Sequence, residues 1–376
     1  MTDLLRTPLY DLHNDLGATL VEFAGWHMPI RYRSIREEHQ QVRASGGLFD
    51  VSHMGRVKIL GRQARRLVER LCTRRVSDMQ QGQCRYSLVL NERGGIKDDV
   101  LVYRLDEDEF LLVVNASNRA KLLEHFETVR AAGDLTVSIE DQTITTSMVA
   151  IQGPKVMDLV SKVSAEVGEL KRYRFAVKNL MITKLTVSRT GYTGEDGVEV
   201  ILPAGSTGLA MKLLMKDSPL GEPDSPIQAI GLAARDTLRL EAGMALYGNE
   251  LTEETPALST GLGFAINPDK ADDERGEPFV GLGAIHASEK NGGPQRRLVG
   301  LRLEGTRTAR PHMPVANGGQ HVGQITSGCL SPTLDASIAM AYVDRDSSET
   351  GTQLEVDLGR ARAAAEVVIL PFYKRR

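Results

Sequence analysis

VSRTGYTGEDGVEV, from Val187 to Val200, reads as an apolar strand, a glycine-rich turn and a second strand. Valine at both ends favours a pleated sheet, and Gly191, Gly194 and Gly197 suit a backbone that needs positive φ or close approach by another group. Side chains alternate along the returning strand, so Val198 and Val200 share one face and Glu199 points to the other. A carboxylate is thereby set opposite an apolar face, with Tyr192 on the turn beside it. By itself the pattern also describes an exposed hairpin with a solvated acid. Other parts of the chain decide between the two.

NERGGIKDDVLVY, Asn91 to Tyr103, repeats the plan of a glycine turn feeding a strand with acids at its mouth. Alternation puts Asp99, Leu101 and Tyr103 on one face and Val100 and Val102 on the other, with Asp98 assigned to the turn. A carboxylate among apolar neighbours at a strand entrance is a candidate proton acceptor, because desolvation raises its pKa toward neutrality. GLAARDTLRLEAG, Gly231 to Gly243, brings Arg235 and Arg239 to one face if it is helical. A guanidinium there suits the carboxylates of a ligand, or an internal acid such as Glu199.

These three stretches, with FAGWHMP at Phe23 to Pro29, GLFDVSHMG at Gly47 to Gly55 and LYGNEL at Leu246 to Leu251, closely resemble the aminomethyltransferase family. That family is the folate-dependent T-protein of the glycine cleavage system, and the likeness runs from Thr7 to Tyr373. The resemblance implies a multidomain α+β fold: antiparallel ferredoxin-like α/β units around a central folate-binding opening, plus a C-terminal all-β, jelly-roll-like domain. Residues 1–50 with 140–265 would form the first unit, 51–139 the second, carrying Asp99, and 285–376 the β-barrel-like domain.

It also implies roles. Asp99, the second acid of its pair, would lie by the folate amine and accept or relay its proton. Glu199 and Arg235 would contact folate, Glu199 by accepting hydrogen bonds from the donor edge of the pterin ring. Tyr86, Tyr103 and Tyr192 fall at aromatic and hydroxyl positions around the ligand, and Val113 and Asn115 at strand ends near it. Tetrahydrofolate would be the co-substrate, with no metal, and the lipoylated H-protein the partner. Ammonia would leave an aminomethyl group held on the lipoyl sulfur, and tetrahydrofolate would capture the methylene to give 5,10-methylenetetrahydrofolate and the dihydrolipoyl carrier. His27, where an acid is commoner, and RTARPHMP at Arg307 to Pro314, in place of a more glycine-rich turn, depart from the pattern. An alternative within the same fold is a folate-binding protein supporting iron–sulfur enzymes or tRNA modification. Such relatives carry a KGCYxGQE-like stretch, whereas Cys84 here sits in QGQCRYS. Folate domains of dimethylglycine or sarcosine oxidising enzymes work with a flavin domain, and no strand opening on GxGxxG is present.

The rest of the chain fits this frame. At 376 residues it exceeds the size at which one core keeps growing, so more than one domain is expected. A formal charge of −3 lacks the basic surplus that nonspecific nucleic-acid binding needs. Three widely spaced cysteines, Cys72, Cys84 and Cys329, suit reduced thiols better than a disulfide framework or zinc site. The absence of a leader or a membrane-length apolar run leads to the expectation of a cytoplasmic protein. Trp26 reads as core packing and His53 as a satisfied structural group. Gln63 to Leu71 predicts an amphipathic helix, and Arg62, Arg65, Arg66, Arg70, Arg74 and Arg75 form a basic cluster, either solvated or a docking patch for an acidic partner. Asn267 to Gln295 has the composition of a linker, and beyond it short strands predict a separate all-β module.

Overall fold

The quoted hairpin forms within a six-stranded sheet, in the order Phe175–Leu180, Thr183–Ser188, Gly197–Pro203, Thr146–Gln152, Gly47–Asp50, Gln228–Ala229. The structure, a computed structural model, describes residues 3–180, 183–215 and 219–375. The chain divides into two compact units: Met1–Arg65, Met79–Arg85 and Leu101–Asp236 form the first, and Arg66–Asp78, Tyr86–Val100 and Thr237–Arg376 the second.

In the first unit Val198 and Val200 join Val149, Ile151, Leu185 and Val187 in one apolar cluster, against Val156 and Val167 from short helices and Met211 from the helix Thr207–Leu214. Glu199 is absent from that cluster, as the alternation requires. It is nonetheless buried, because both faces of the strand Gly197–Pro203 are covered. A five-stranded antiparallel sheet runs in the order Cys84–Leu90, Ile96–Asp106, Glu109–Val114, Gly55–Leu60, Ser138–Asp141. The helix Arg119–Ala132 buries Leu122, His125, Phe126 and Val129, with Leu123 half-buried beside them. Asn118 precedes it, without a side-chain capping bond.

One expectation is corrected in this part of the chain. Asp98 is not a turn residue: the strand Ile96–Asp106 starts early enough that Asp98 shares the inward face with Ile96, Val100 and Val102, at 0% exposure. Asp99 takes the half-buried face. Trp26 is buried, in the ribbon formed by Thr19–Phe23 and Trp26–Arg31.

The second unit holds a closed barrel, with Arg296–Leu303, Ala336–Asp344, Gln320–Ser331, Pro314–Asn317, Gln353–Asp357 and Arg362–Val368 in order around it. Period-two alternation sorts its longest pairings. Ala339, Ala341 and Val343 fill the interior with Leu301, Val315 and Ile325, whereas Ile338 and Met340 face outward onto Leu240 and Cys329. The all-β C-terminal expectation therefore holds, and the mixed α+β class with it.

The stretch read as a linker is clasped rather than loose. Lys270 is fully buried, 2.7 Å from Glu69 Oε2, and donates to the Glu69 and Cys72 carbonyls. Glu277 accepts from Arg66 Nε at 2.6 Å and Arg70 Nε at 3.0 Å, and Arg75 Nη1 donates to Asp273 at 2.8 Å. Acids that gave the segment its linker composition are thus counter-charges for Arg66, Arg70 and Arg75.

Candidate functional site

The loop between the hairpin strands is fastened from below. Gln152, fully buried, donates to the Thr190 carbonyl at 3.0 Å, and Arg189 closes the loop by pairing with both carboxylate oxygens of Asp196. Gly191 lies so close to the Gln152 amide that a Cβ would come within 1.7 Å of its Oε1, and Gly194 takes φ +81°. Glycine is needed at both places, for different reasons.

Glu199, 8% exposed, sits opposite Ser188 in the register of the two strands. Thr190 Oγ1 donates to Glu199 Oε2 at 2.6 Å; Ser188 Oγ lies 2.7 Å from Thr190 Oγ1, and Tyr103 Oη 3.0 Å from Ser188 Oγ. A buried line of hydroxyls thus runs from Tyr103 to the carboxylate and fixes its rotamer. Burial, with the neighbouring Cys84 and Glu199, pushes the Tyr103 phenol well above its ordinary pKa, so it stays a neutral donor. At 0% exposure Tyr103 offers no ring face to a ligand and acts on the site through this line. Ser188 and Thr190 escaped the sequence reading; the signal for them was the hairpin register, which sets Ser188 against Glu199.

Arg235 rises from the first turn of the helix Leu232–Glu241. The buried Glu38 anchors that start by accepting from the Gly231 N–H at 2.7 Å. The guanidinium carbon lies 5.0 Å from the Tyr192 ring centroid and 5.5 Å from that of Phe49, a cation held between two aromatic rings. Burial lowers its pKa, and the Glu199 carboxylate is the main charge opposing that fall. Its Nη1 is buried without a hydrogen-bond partner. A buried donor with nothing to bond is costly, and a ligand acceptor at that point removes the cost. Arg239, on the same helix, is not available to a ligand. At 1% exposure it donates to Glu250 Oε2 at 2.9 Å and Ser327 Oγ at 2.7 Å.

His53 also departs from expectation. Its Nδ1 is buried and unbonded, and burial drops the imidazole to about 4, with Asp50 pulling it up and Arg235 and Arg56 pressing it further down. It is therefore neutral at neutral pH. Val113 is buried in its strand, paired with Arg56 and Leu101, and Asn115 follows the strand end, half-buried, before the turn Ala116–Asn118.

Tyr86 and Asp99 belong to the second unit, and they meet: Tyr86 Oη donates to Asp99 Oδ2 at 3.0 Å. The structure thus gathers Tyr103, Tyr192, Glu199 and Arg235 in the first unit and joins Tyr86 to Asp99 in the second. The second unit holds a carboxylate bonded by a phenol; the first unit's set is a buried carboxylate acceptor, a buried unmatched guanidinium donor and aromatic rings. It suits a flat, polar heterocycle. Among the described residues no group of three or more His, Cys, Asp or Glu is arranged to hold a metal. All three cysteines are buried, and burial pushes the Cys72 thiol up to about 12, away from nucleophilic use.

Residues 9–270 match the GCVT N-terminal domain and residues 296–374 the glycine cleavage T-protein C-terminal barrel domain. The chain belongs to the glycine cleavage T-protein family. Its T-protein relatives include an aminomethyltransferase of Rubrobacter xylanophilus, 46% identical over 99% of this chain and 95% of that one. Another, from Saccharopolyspora erythraea, is 40% identical over the whole of both. The crystal structure of the glycine cleavage system aminomethyltransferase T from Bartonella henselae matches with a TM-score of 0.88 at 33% identity, covering 99% of each chain. The T-protein barrel match coincides with the closed barrel seen here, and these likenesses do not favour the iron–sulfur or tRNA-modification alternative.

Proposed function

We propose that the chain is an aminomethyltransferase of glycine cleavage. It releases ammonia from the aminomethyl group on the lipoyl arm of H-protein and passes the methylene to tetrahydrofolate, yielding 5,10-methylenetetrahydrofolate and dihydrolipoyl H-protein. The observation that carries this reading is likeness along nearly the whole chain: 46% identity to a named aminomethyltransferase runs over 99% of it.

Tetrahydrofolate supplies the amine nitrogens that capture the methylene. The chain's own residues bind, orient and move protons. Glu199, already holding one hydrogen bond from Thr190, keeps acceptor capacity for the N–H groups of a reduced pterin. Arg235 offers its unmatched Nη1 to an acceptor on the same ligand, and Tyr192 a ring face. Asp99 Oδ1 or Oδ2 takes the proton shed as the amine attacks, and the Tyr86 hydroxyl aims the carboxylate. Orientation of this kind contributes to rate independently of acid–base chemistry.

The test is methylene transfer from aminomethylated lipoyl H-protein to tetrahydrofolate by the full chain. Wild-type protein should turn over, and Asp99→Asn should lose roughly a hundredfold or more in kcat while still binding tetrahydrofolate. An Asp99→Asn enzyme as fast as wild type removes Asp99 from the chemistry. A wild-type enzyme without turnover overturns the reaction itself.

A further inference from the structure

Behind the strand that carries Glu199, the first unit holds space that the site does not use. Val198 and Val200, with Ile151, Leu185 and Val187, floor a cavity of about 280 Å³, roofed by the helix Val156–Val163 and the single helical turn Ala165–Gly168. Glu199 points to the opposite face of the sheet, so the cavity is separate from the site described above. The roof is not splayed. Ser164 opens its second piece by accepting from the Val167 N–H at 3.4 Å, and Gly168 lies so close to the first piece that a Cβ would come within 2.1 Å of Ser161 Oγ. The two pieces pack on each other, and the volume is left beneath them. Interiors are packed about as densely as organic crystals, and an apolar cavity of about 150 Å³ already holds benzene. This one has room for roughly ten to twelve non-hydrogen atoms.

The walls say what would fill it. Apart from Ser164, Lys178 and Asn179, every described lining residue is Val, Leu, Ile or Met. Among the described residues no aromatic ring and no acid lines the cavity, so a flat ring finds no face to stack on and a cation finds no counter-charge. Lys178, from the outermost strand of the sheet, Phe175–Leu180, is the one charge among the described lining residues. Its ion pair with Glu166 is open to water, the two side chains being 28% and 66% exposed. Pairs of that kind contribute little, so an incoming carboxylate can take the ammonium over. Val163, also lining the cavity, is 66% exposed and marks an opening at the end of its helix. We propose that this cavity binds a medium-chain aliphatic carboxylate of about eight to ten carbons, its chain lying between sheet and helix and its carboxylate at Lys178. The site is independent of the reaction read above.

The test is calorimetric titration of the full chain with hexanoate, octanoate, decanoate and tetradecanoate, each below its micelle concentration. Decanoate should fill one site. Affinity should rise about fourfold with each methylene from hexanoate to decanoate and level off by tetradecanoate, when the volume is full. Decanol, with the same chain and no charge, should bind about tenfold more weakly; Lys178→Met should remove that difference and Lys178→Arg should keep it. Val160→Phe and Leu159→Phe, both at half-buried roof positions, should each fold by circular dichroism and weaken decanoate about tenfold or more by occupying its space. Saturating tetrahydrofolate should leave decanoate affinity unchanged. A titration without saturable heat overturns the proposal. So does affinity that keeps climbing to tetradecanoate and is untouched by both phenylalanine variants, since that is adsorption to exposed apolar surface. Decanol binding as tightly as decanoate to the wild type removes Lys178 as the anchor, and displacement of decanoate by tetrahydrofolate moves the acid into the other site.

Discussion

At the residue scale, the behaviour of Glu199 depends on a hydroxyl that touches no solvent-facing surface of consequence. Thr190 donates at 2.6 Å and is itself backed by Ser188 and Tyr103. Thr190→Val keeps the shape and removes the donor, leaving the carboxylate free to turn and Ser188 short of a partner. A lost buried hydrogen bond costs about 1 kcal/mol, more when one side is charged. The expected result is a rise in KM for tetrahydrofolate of about five- to tenfold with a smaller change in kcat, and recovery in Thr190→Ser. A KM that does not move in Thr190→Val would show that the hydroxyl line only packs the strand. The residue scale also marks where the sequence was silent. Glu199 and Arg235 were singled out because strand and helix patterns placed them and the family resemblance gave them roles. Thr190 was not, since a threonine next to a glycine turn is commonplace, and only the register across the hairpin gives it a carboxylate to hold.

At the element scale, legibility followed how well each piece buries one face. The barrel strand Ala336–Asp344 and the helix Val156–Val163 were readable from apolar period alone. Phe175–Leu180 was not read as a strand: it is the last in its sheet, and an edge strand tolerates Lys178 and Asn179. Asp98 was misplaced because a carboxylate on the inward face of a strand is the rarer choice. The segment after Asn267 carries fastenings that its composition did not reveal, for a related reason: composition reports charge but not its partners. Lys270 and Glu69 are both 0% exposed, and Glu69 Oε1 also accepts from the Val76 and Ser77 N–H groups at 2.8 and 2.6 Å. Burial lowers the Lys270 pKa, with Glu69 the main charge opposing it. Lys270→Met removes one charge and strands the other, which for a buried pair costs about 3–5 kcal/mol. Urea unfolding should show that loss, and Lys270→Met combined with Glu69→Gln should recover part of it. A single variant within about 1 kcal/mol of wild type would mean that the carbonyl contacts alone hold the strap.

At the scale of the whole molecule, the barrel is closed yet not self-sufficient within its unit. Closure abolishes its strand edges but leaves an outward apolar face, Ile338 at 1% and Met340 at 0% exposure, that Leu240 covers together with Leu370 and Phe372. Polar fastenings run the same way. Ser327 accepts from Arg239 at 2.7 Å, Thr333 Oγ1 donates to Glu241 Oε2 at 2.7 Å, and Tyr342 Oη donates to the Glu250 carbonyl at 2.9 Å. A fragment of residues 296–376 keeps every barrel strand and loses all of these partners. Each large side chain newly exposed forfeits roughly 1.5–3 kcal/mol, a heavy loss for a domain of that size. The fragment should bind a hydrophobic dye and melt well below the intact chain. The decisive comparison is Ile338→Ser with Met340→Ser in both settings. In the fragment the pair should reduce dye binding and association, because it makes a wet face polar; in the intact chain the same pair should lower Tm, because it puts hydroxyls against Leu240. Equal effects in the two settings, or a fragment that melts with the intact protein, would mean the barrel stands alone and that the helix ending at Glu241 merely rests on it.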